Sequence, residues 1–252
     1  MTQEHYTSLY RQSADLYDAM MGTALETSIF NAVVKEIEEL TSIDKEVSLV
    51  DICCGTGILA SLIARRRRVR FTGVDVNATY IRAARKKLEG SSGFSFILGD
   101  ALNYAPEGPV DIVTLTSAYH HIIDRDKRKL LMNVHRMLKE SGAVVIYEKC
   151  IREYANRNEF KTNNEDFYSK RIEFLQRTEK NHLSRKQHEA LLNIRRLSAS
   201  GEEEYKVSYQ HLMRDLGETG YEVVKLSKVW PSENLFDDPN VGDFIFVVKR
   251  KV

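Results

Sequence analysis

The stretch Val47–Ala60, VSLVDICCGTGILA, has the pattern of a strand, a tight turn and the start of a helix. Its apolar run ends in an acid, Asp51, and small residues follow from Cys53 to Gly57. A helical apolar pattern then begins at Ile58. Glycines in such a turn let the backbone approach a ligand closely, because a Cβ atom would collide with it. This arrangement is typical of nucleotide binding in an open α/β sheet.

Two kinds of nucleotide fit this turn. Gly55, Gly57 and Ala60 satisfy the dinucleotide fingerprint G-x-G-x-x-A, and Asp75 lies 20 residues after Gly55, so a nicotinamide-dependent dehydrogenase is one hypothesis. Asp51 argues against it, because a carboxylate there would repel a pyrophosphate in a partly desolvated site. A ligand with an ammonium group suits Asp51 better, and S-adenosylmethionine carries both an ammonium and a positive sulfonium.

The next two predicted strands also end in an acid. Arg70–Asp75 and Phe94–Asp100 each have a buried-strand pattern, so three consecutive strands end in Asp. The carboxyl ends of parallel strands line the ligand crevice of an open α/β sheet. We therefore expect the three carboxylates to border the same crevice.

These residues resemble the class I S-adenosylmethionine-dependent methyltransferases. The resemblance implies that Asp51 lies near the methionine end of the cofactor and that Asp75 binds both ribose hydroxyls. It also implies that Asp100 faces the adenine amino group, with Ala101 beside the ring. The full set of cofactor-binding residues expected in this way is Tyr17, Asp51, Cys53, Cys54, Gly55, Gly57, Asp75, Val76, Asp100, Ala101, Thr116 and Ser117.

One residue departs from the family pattern. The first glycine of the family's turn is Cys53 here, and the sequence Cys-Cys-Gly-Thr-Gly also resembles the turn of quinone-biosynthesis methyltransferases. The substitution predicts that Cys53 has a backbone conformation that a residue other than glycine tolerates.

Strand and helix patterns alternate along the core of the chain, which predicts an α/β fold. The resemblance implies a Rossmann-like, seven-stranded, mostly parallel sheet with helices on both faces and an antiparallel last strand. We predict a single domain over residues 1–252. A helical N-terminal lid spans 1–45, the core spans 46–149 and 206–252, and a helical cap insertion spans 150–205.

The segment after the fourth predicted strand, TSAYHHI, is the candidate catalytic segment. It leaves the carboxyl end of a strand, so it should border the transferred methyl group and the acceptor. His120 or His121 could accept a proton from a nucleophile, because histidine titrates near neutral pH. Tyr119 is a candidate contact for substrate or cofactor, and Glu148 is an alternative base. The competing interpretation is that these histidines pack or cap a helix.

Composition excludes several classes of protein. The 252 residues carry a net charge of +1 and are 42% hydrophobic, which provides a core but no field that favours nucleic acid or an anionic membrane. A basic run at residues 64–70 is expected at the opposite end of the strands from the cofactor. No apolar run approaches the ~18–20 residues of a membrane span. The N-terminus lacks a secretory pattern, and three cysteines without metal-ligand spacing favour a reducing cytoplasm and no metal.

The cap insertion should determine the acceptor. Helices are predicted over residues 164–180 and 184–197, and their layout loosely resembles carboxy-S-adenosylmethionine synthase, which needs an arginine for an extra carboxylate. Arg171, Arg185 and Arg195 are the candidates for that arginine. The insertion could equally form a homodimer surface.

The sequence therefore predicts a methyltransferase that uses S-adenosyl-L-methionine, releases S-adenosyl-L-homocysteine and methylates a small-molecule acceptor by in-line displacement. A carboxy-S-adenosylmethionine synthase-like enzyme, an NAD-dependent oxidoreductase and a binding module without catalysis are the alternatives.

Overall fold

The computed structural model describes residues 14–41, 46–65, 69–178, 183–200 and 204–251. The first residues of the predicted N-terminal lid, with Tyr6 and Tyr10, lie outside these ranges, as do residues 66–68 of the basic run and short pieces of the cap insertion.

Helices and strands alternate along most of the described chain. The helices α1 to α8 span Ala14–Met21, Ala24–Glu39, Ile58–Ile63, Ala78–Lys87, Asp124–Met137, Arg157–Thr178, Arg185–Ser200 and Tyr209–Glu218. The strands β1 to β7 span Val47–Ile52, Val69–Asp75, Phe94–Leu98, Val110–Thr116, Leu138–Cys150, Tyr221–Trp230 and Gly242–Arg250.

The seven strands form one sheet in the order β3-β2-β1-β4-β5-β7-β6. Strands β1 to β5 run parallel to one another, whereas β7 runs antiparallel to both β5 and β6. The order reverses direction at β1, so β1 and β4 flank the point where a ligand crevice opens in such sheets. The predicted α/β class and the Rossmann-like sheet are confirmed.

Each face of the sheet has its own hydrophobic cluster. One cluster joins the sheet to α2, α6 and α7, through residues such as Phe30, Phe167 and Leu191. The other joins it to α5 and α8, through residues such as Leu131 and Leu212. Helix α2 therefore packs on the sheet itself, and within the described part of the N-terminal segment only α1 extends over the carboxyl ends of the strands.

The boundary between α5 and β5 depends on strand pairing. Helix α5 ends at Met137, because Leu138 is extended and pairs with Val110 in β4. The backbone of Gly142 then passes close to Asp111, where a Cβ would meet the Asp111 carbonyl oxygen at 3.1 Å. This close approach lets a polar segment that resembles a helix end enter the sheet as the start of β5.

Candidate functional site

The turn after β1 keeps a glycine-like conformation at three positions. Gly55 and Gly57 have φ angles of 55° and 77°, and Cys53 has a φ angle of 58°. Cys53 thus adopts the left-handed region that favours glycine, which costs a residue with a Cβ roughly 1–2 kcal/mol. Gly57 begins α3 and packs so closely that a Cβ would meet the Cβ of Ala84 at 3.0 Å. The turn therefore has a left-handed backbone at all three positions, although one of them is a cysteine.

Asp75 fixes the relation between this turn and the end of β2. Its carboxylate accepts hydrogen bonds from the Gly55 N–H at 2.9 Å and from the Asn77 N–H at 2.8 Å. Val76 is half-buried directly after it. The carboxylate is thereby held at the carboxyl end of the strand, next to the glycine-rich turn, where the sequence places a ribose contact.

Asp51 is the most buried of the three strand-end acids, with 2% of its surface exposed. Its carboxylate accepts a hydrogen bond from the Thr114 hydroxyl at 2.6 Å. Burial raises the pKa of Asp51 to about 7, because the charged form is desolvated. A cationic ligand group beside it would stabilise that charge.

Asp100 has a different environment, since it is exposed at the end of the third strand segment. It accepts hydrogen bonds from the Leu102 N–H at 2.9 Å and from the Asn103 amide at 3.0 Å. Ala101 beside it is buried. The carboxylate is held by its own turn, as a surface acceptor at the crevice rim.

Helix α1 covers the turn. A Cβ on Gly55 would lie 3.2 Å from the Tyr17 hydroxyl oxygen, so the tyrosine ring rests directly on the glycine backbone. The next residue, Asp18, accepts a hydrogen bond from the Thr56 hydroxyl and binds the Lys87 ammonium at 2.9 Å. These contacts form a latch, Asp18 with Thr56 and Lys87, that holds α1 against the turn.

The end of β4 presents a hydroxyl that lacks a partner. Thr116 Oγ1 is buried and has no hydrogen-bond partner within the described residues. Its neighbour Ser117 has a φ angle of 53° and accepts a hydrogen bond from Lys149 at 3.1 Å. An orphaned buried hydroxyl, a desolvated carboxylate at Asp51 and a bare glycine backbone together fit a polar, cationic ligand in this crevice.

A pocket of about 620 Å³, mouth included, adjoins the crevice. Its walls are apolar on the lid side, where α1 contributes Met20 and Met21 and α7 contributes Leu191 and Ile194. Its floor is polar and is formed by Ser117, His120, His121, Lys149, Arg171, Glu204 and Lys206. A lining that is apolar on one side and polar on the other suits a small molecule with both kinds of surface.

His120 is bound to a buried carboxylate at the pocket floor. Its Nδ1 lies 2.6 Å from Glu148 Oε1, and Glu148 also accepts the backbone N–H groups of His120 and Lys149. Because these oxygens act as acceptors, Nδ1 is the protonated nitrogen of a neutral ring, and Nε2 is left to accept a proton. Burial lowers the pKa of His120 well below its ordinary value, and Lys206 adds to the effect.

Of the other predicted catalytic residues, His121 lines the pocket and Tyr119 does not. The rings of His120 and His121 lie 4.0 Å apart. Tyr119 is fully buried in the cluster beneath α5 and donates its hydroxyl to Asp215 at 2.7 Å. That bond replaces the substrate or cofactor contact expected for Tyr119, because the ring turns into the core after the strand ends.

A buried ionic network supports the floor. Arg171 donates to Asp243 at 2.8 Å and to Glu26 at 2.7 Å, and Lys149 lies 3.5 Å from Glu26. Burial acts to raise the pKa of Glu26, but Lys149 and Arg171 lower it to about 2. Arg171 is thus committed to internal acids, which corrects its candidacy as the receptor of an extra carboxylate.

The other two candidate arginines do not reach the pocket. Arg185 is almost fully exposed on α7 and pairs with Glu189, and Arg195 is exposed on the same helix. Among the described residues, Arg171 is the one arginine that lines this pocket.

Sequence reasoning missed several pocket residues. Glu204 and Lys206 follow α7 and reach the floor only through the folding of the cap insertion, and no motif marks them. Donor atoms of His120, His121 and Glu204 lie within 4.8 Å of one another, a spacing that could hold a metal ion. Asp18 was also missed, although it directly follows Tyr17, one of the predicted cofactor-binding residues.

Comparisons with known proteins agree with the fold and with the position of the glycine-rich turn. Residues 49–142 match the family described as "Methyltransferase domain". The demethylmenaquinone methyltransferase of Thermotoga maritima is 28% identical over 149 residues, which cover 58% of this chain and 62% of that protein. The match therefore spans less than two thirds of that relative's length.

Solved structures agree on the fold. An N-methyltransferase from Bradyrhizobium japonicum, in complex with S-adenosyl-L-homocysteine, aligns with a TM-score of 0.62 and 15% identity over 98% of both chains. The 1,6-didemethyltoxoflavin N1-methyltransferase of Burkholderia thailandensis aligns with a TM-score of 0.62 and 13% identity, covering 100% of this chain and 92% of that one. Among the described residues, we find no helix with the length and apolarity needed to span a bilayer.

Proposed function

We propose that this protein, whose residues 49–142 form a methyltransferase domain on a class I fold, is an S-adenosylmethionine-dependent methyltransferase acting on a small-molecule acceptor. The observation that carries the proposal is a pair of adjoining compartments. One is the crevice bordered by Asp51, Asp75 and the glycine-rich turn, and the other is the pocket above His120.

The crevice residues bind and orient the cofactor in this proposal. Asp75 offers its carboxylate to ribose hydroxyls, Asp51 offers a buried carboxylate to the ammonium, and Thr116 offers an unpaired hydroxyl. When bound, S-adenosylmethionine supplies an electrophilic methyl group on a positive sulfur. Asp100, at the rim, completes the set as the adenine contact.

The pocket residues prepare the acceptor. Holding two reacting groups in line can lower the barrier by roughly 7–11 kcal/mol, and the walls from α1 and α7 supply that confinement. His120, neutral and oriented by Glu148, accepts the proton of an acceptor that must lose one. The apolar lid excludes water from a reaction in which charge disappears.

Titration calorimetry with S-adenosylmethionine, S-adenosylhomocysteine and NAD tests the proposal. We expect the first two to bind and NAD to give no heat. Asp75→Ala should weaken cofactor binding by about tenfold to a hundredfold, because hydrogen bonds to a charged group are lost. Glu89→Gln, which alters an exposed acid just after α4, is the matched control. Binding of NAD with Asp51 dispensable would instead identify a dehydrogenase.

Two further aspects of the proposal concern the setting of the enzyme. The exposed residues of α6 and α7 are polar apart from Leu192, and a homodimer through this insertion is a prediction for analytical ultracentrifugation. Cys53, Cys54 and Cys150 are free thiols, which supports the predicted cytoplasmic location.

A further inference from the structure

Lys206 is a buried cation on the pocket floor. Its side chain is about 1% exposed on the pocket floor, and its Nζ has no hydrogen-bond partner within the described residues. Glu204 Oε2 lies 3.2 Å away, close enough for an ion pair but not aligned for a hydrogen bond. Burying an ammonium with unused donors is costly, so its position favours a ligand that brings an acceptor atom.

The charges around His120 favour an anion over a metal cation. Lys206, Lys149 and Lys127 act on His120 as positive charges, and the carboxylates of Glu204 and Glu148 act as negative ones, with Glu148 already bound to the Nδ1 side of the ring. Burial acts to raise the pKa of Glu204, but Lys206 beside it holds the value at about 2, so the carboxylate is already balanced by an ammonium. A divalent ion on His120, His121 and Glu204 would have to displace or repel that ammonium.

The neutral ring of His120 adds a second requirement. With Nδ1 bound to Glu148, the ring can accept a proton at Nε2. This position therefore suits a ligand that carries an ionisable proton. A carboxylic acid is already ionised at neutral pH, whereas a phenol or an enol is not. Lys206 and His120 lie close together on the pocket floor, since a ring nitrogen of His120 lies within 4.8 Å of the Glu204 carboxylate, and Lys206 Nζ lies 3.2 Å from that carboxylate.

The other residues that line the pocket indicate which chemical group carries the hydroxyl. Met20, Met21, Leu191 and Ile194 provide an apolar surface opposite the floor, and the ring of Tyr168 lies beside Lys206, with the ammonium 5.8 Å from its centre. These side chains suit a flat, apolar ring system.

We propose that Lys206 and His120 form a subsite for an acidic hydroxyl group, of the phenol or enol type, carried by an apolar ring. The O–H bond breaks, its proton passes to His120 Nε2, and the electron pair stays on oxygen, where Lys206 donates to it. The identification of this ligand as the methyl acceptor rests on the proposed function, whereas its binding and ionisation do not.

A chromophoric phenol tests the subsite without methyl transfer. We would titrate the full-length protein with 4-nitrophenol, at a pH where the free probe is mostly un-ionised, in the presence and absence of S-adenosylhomocysteine. The expected result is the visible absorption band of the phenolate on binding. The matched probes are 4-nitroanisole, which has no hydroxyl, and 4-nitrobenzoate, which is a carboxylate, and both should bind at least tenfold more weakly.

Variants assign the effect to residues. Lys206→Met should remove the phenolate band and weaken 4-nitrophenol binding by about tenfold or more, since a hydrogen bond to a charged group is lost. His120→Gln should reduce the band through loss of the proton acceptor. Lys186→Met, which removes an exposed lysine of α7, should change neither. Circular dichroism confirms folding, and Lys206→Gln replaces Lys206→Met if that variant does not fold.

Several results would overturn the subsite. These are the absence of a phenolate band with the wild-type protein, its persistence in both Lys206 variants, tighter binding of 4-nitroanisole or 4-nitrobenzoate, or stoichiometric Zn²⁺ binding that blocks the binding of 4-nitrophenol.

Calorimetry with S-adenosylmethionine separates the subsite from the proposed methyl transfer. Cofactor binding without phenol binding contradicts only the subsite, and phenol binding without cofactor binding contradicts only the methyl transfer.

Discussion

At the scale of single residues, Asp51 links cofactor binding to pH. Burial raises the pKa of its carboxyl to about 7, so about half of the free protein carries a protonated Asp51 at that pH. Only the carboxylate form attracts an ammonium group. We therefore expect the affinity for S-adenosylmethionine to rise with pH through about 7 and to fall by up to about tenfold per pH unit below it.

Calorimetry between pH 5.5 and 8.5 measures this dependence. Burial also raises the pKa of Asp75, which works in the same direction, so Asp51→Asn is the informative variant. It should bind the cofactor more weakly at high pH and should show a flatter pH profile. A wild-type affinity that is constant over the range would contradict the role given to Asp51.

The protonation state of His120 can be tested without a methyl acceptor. Because burial lowers its pKa well below 6.5, the ring should stay neutral at about pH 6, where an exposed histidine is largely protonated. Imidazole ¹⁵N resonances should show the tautomer protonated at Nδ1, which faces Glu148. A charged His120 at that pH would remove it as a proton acceptor.

Predictability at this scale depends on spacing along the chain. Asp51 and Asp75 were predictable because each ends an apolar run, and the sheet brings such ends together. Glu204 and Lys206 were not, since they follow an irregular segment and meet His120 only through tertiary folding. Tyr119 shows the limit of the pattern, because its position beside His120 in sequence does not fix the direction of its side chain.

At the scale of elements, the latch holds helix α1 over the glycine-rich turn. Asp18 joins Thr56 in the turn and Lys87 in α4, and both Asp18 and Lys87 are partly exposed. Since a partly exposed ion pair contributes little, Asp18→Asn should speed cofactor dissociation only severalfold. Stopped-flow displacement measures the rate, and Asp15→Asn on the same helix should leave it unchanged. Equal rates for all three proteins would exclude the latch.

Arg171 connects three elements through buried charge. It lies on α6 and binds Glu26 of α2 and Asp243 of β7, and it stacks 4.6 Å from the Trp230 ring. Removing one partner of a buried pair leaves the other charge uncompensated, so Arg171→Met should lower the free energy of unfolding by about 3–5 kcal/mol. Urea denaturation measures this loss.

A matched arginine on the same helix provides the control. Arg177 is mostly exposed and pairs with Glu233, so Arg177→Met should change the stability by less than about 0.5 kcal/mol. Equal effects of the two substitutions would show that Arg171 acts through its bulk on α6 and not through buried charge.

Element boundaries were predictable where chemistry marks them. Ser184 accepts the Gln187 N–H at 3.2 Å and begins α7 as its sequence suggests. The start of α6 lies before the predicted residue 164, at Arg157, because the Asn156 side chain donates to Glu159 and accepts the Glu159 N–H, and Glu159 also accepts the Ala155 N–H. The start of β5 could not be predicted, since it depends on pairing with β4.

At the scale of the whole molecule, the cap insertion belongs to the core. Phe160, Phe167 and Leu175 of α6 share one hydrophobic cluster with α2 and the sheet. The single tryptophan, Trp230, ends β6 and packs against Phe167 and Phe174 of α6. We therefore expect tryptophan fluorescence and far-UV circular dichroism to report the same urea midpoint. Separate midpoints would show that the insertion unfolds on its own.

The overall architecture was predictable because alternation of strands and helices constrains a sheet strongly. The roles of the two described N-terminal helices were harder to predict. Its two helices have similar apolar periodicity, yet α2 buries Ile29 and Val33 against the sheet while α1 covers the ligand crevice. Sequence periodicity indicates that a helix has a buried face but not which surface will receive it.

The position of α1 has a consequence for the timing of turnover. The same short helix places Tyr17 on the glycine-rich turn and Met20 and Met21 in the wall of the acceptor pocket. The same helix therefore closes both compartments, and a single movement of α1 would expose them together. Under the proposed function, neither product leaves while α1 is closed. The dissociation of S-adenosylhomocysteine and of the methylated acceptor would then be limited by the same opening rate.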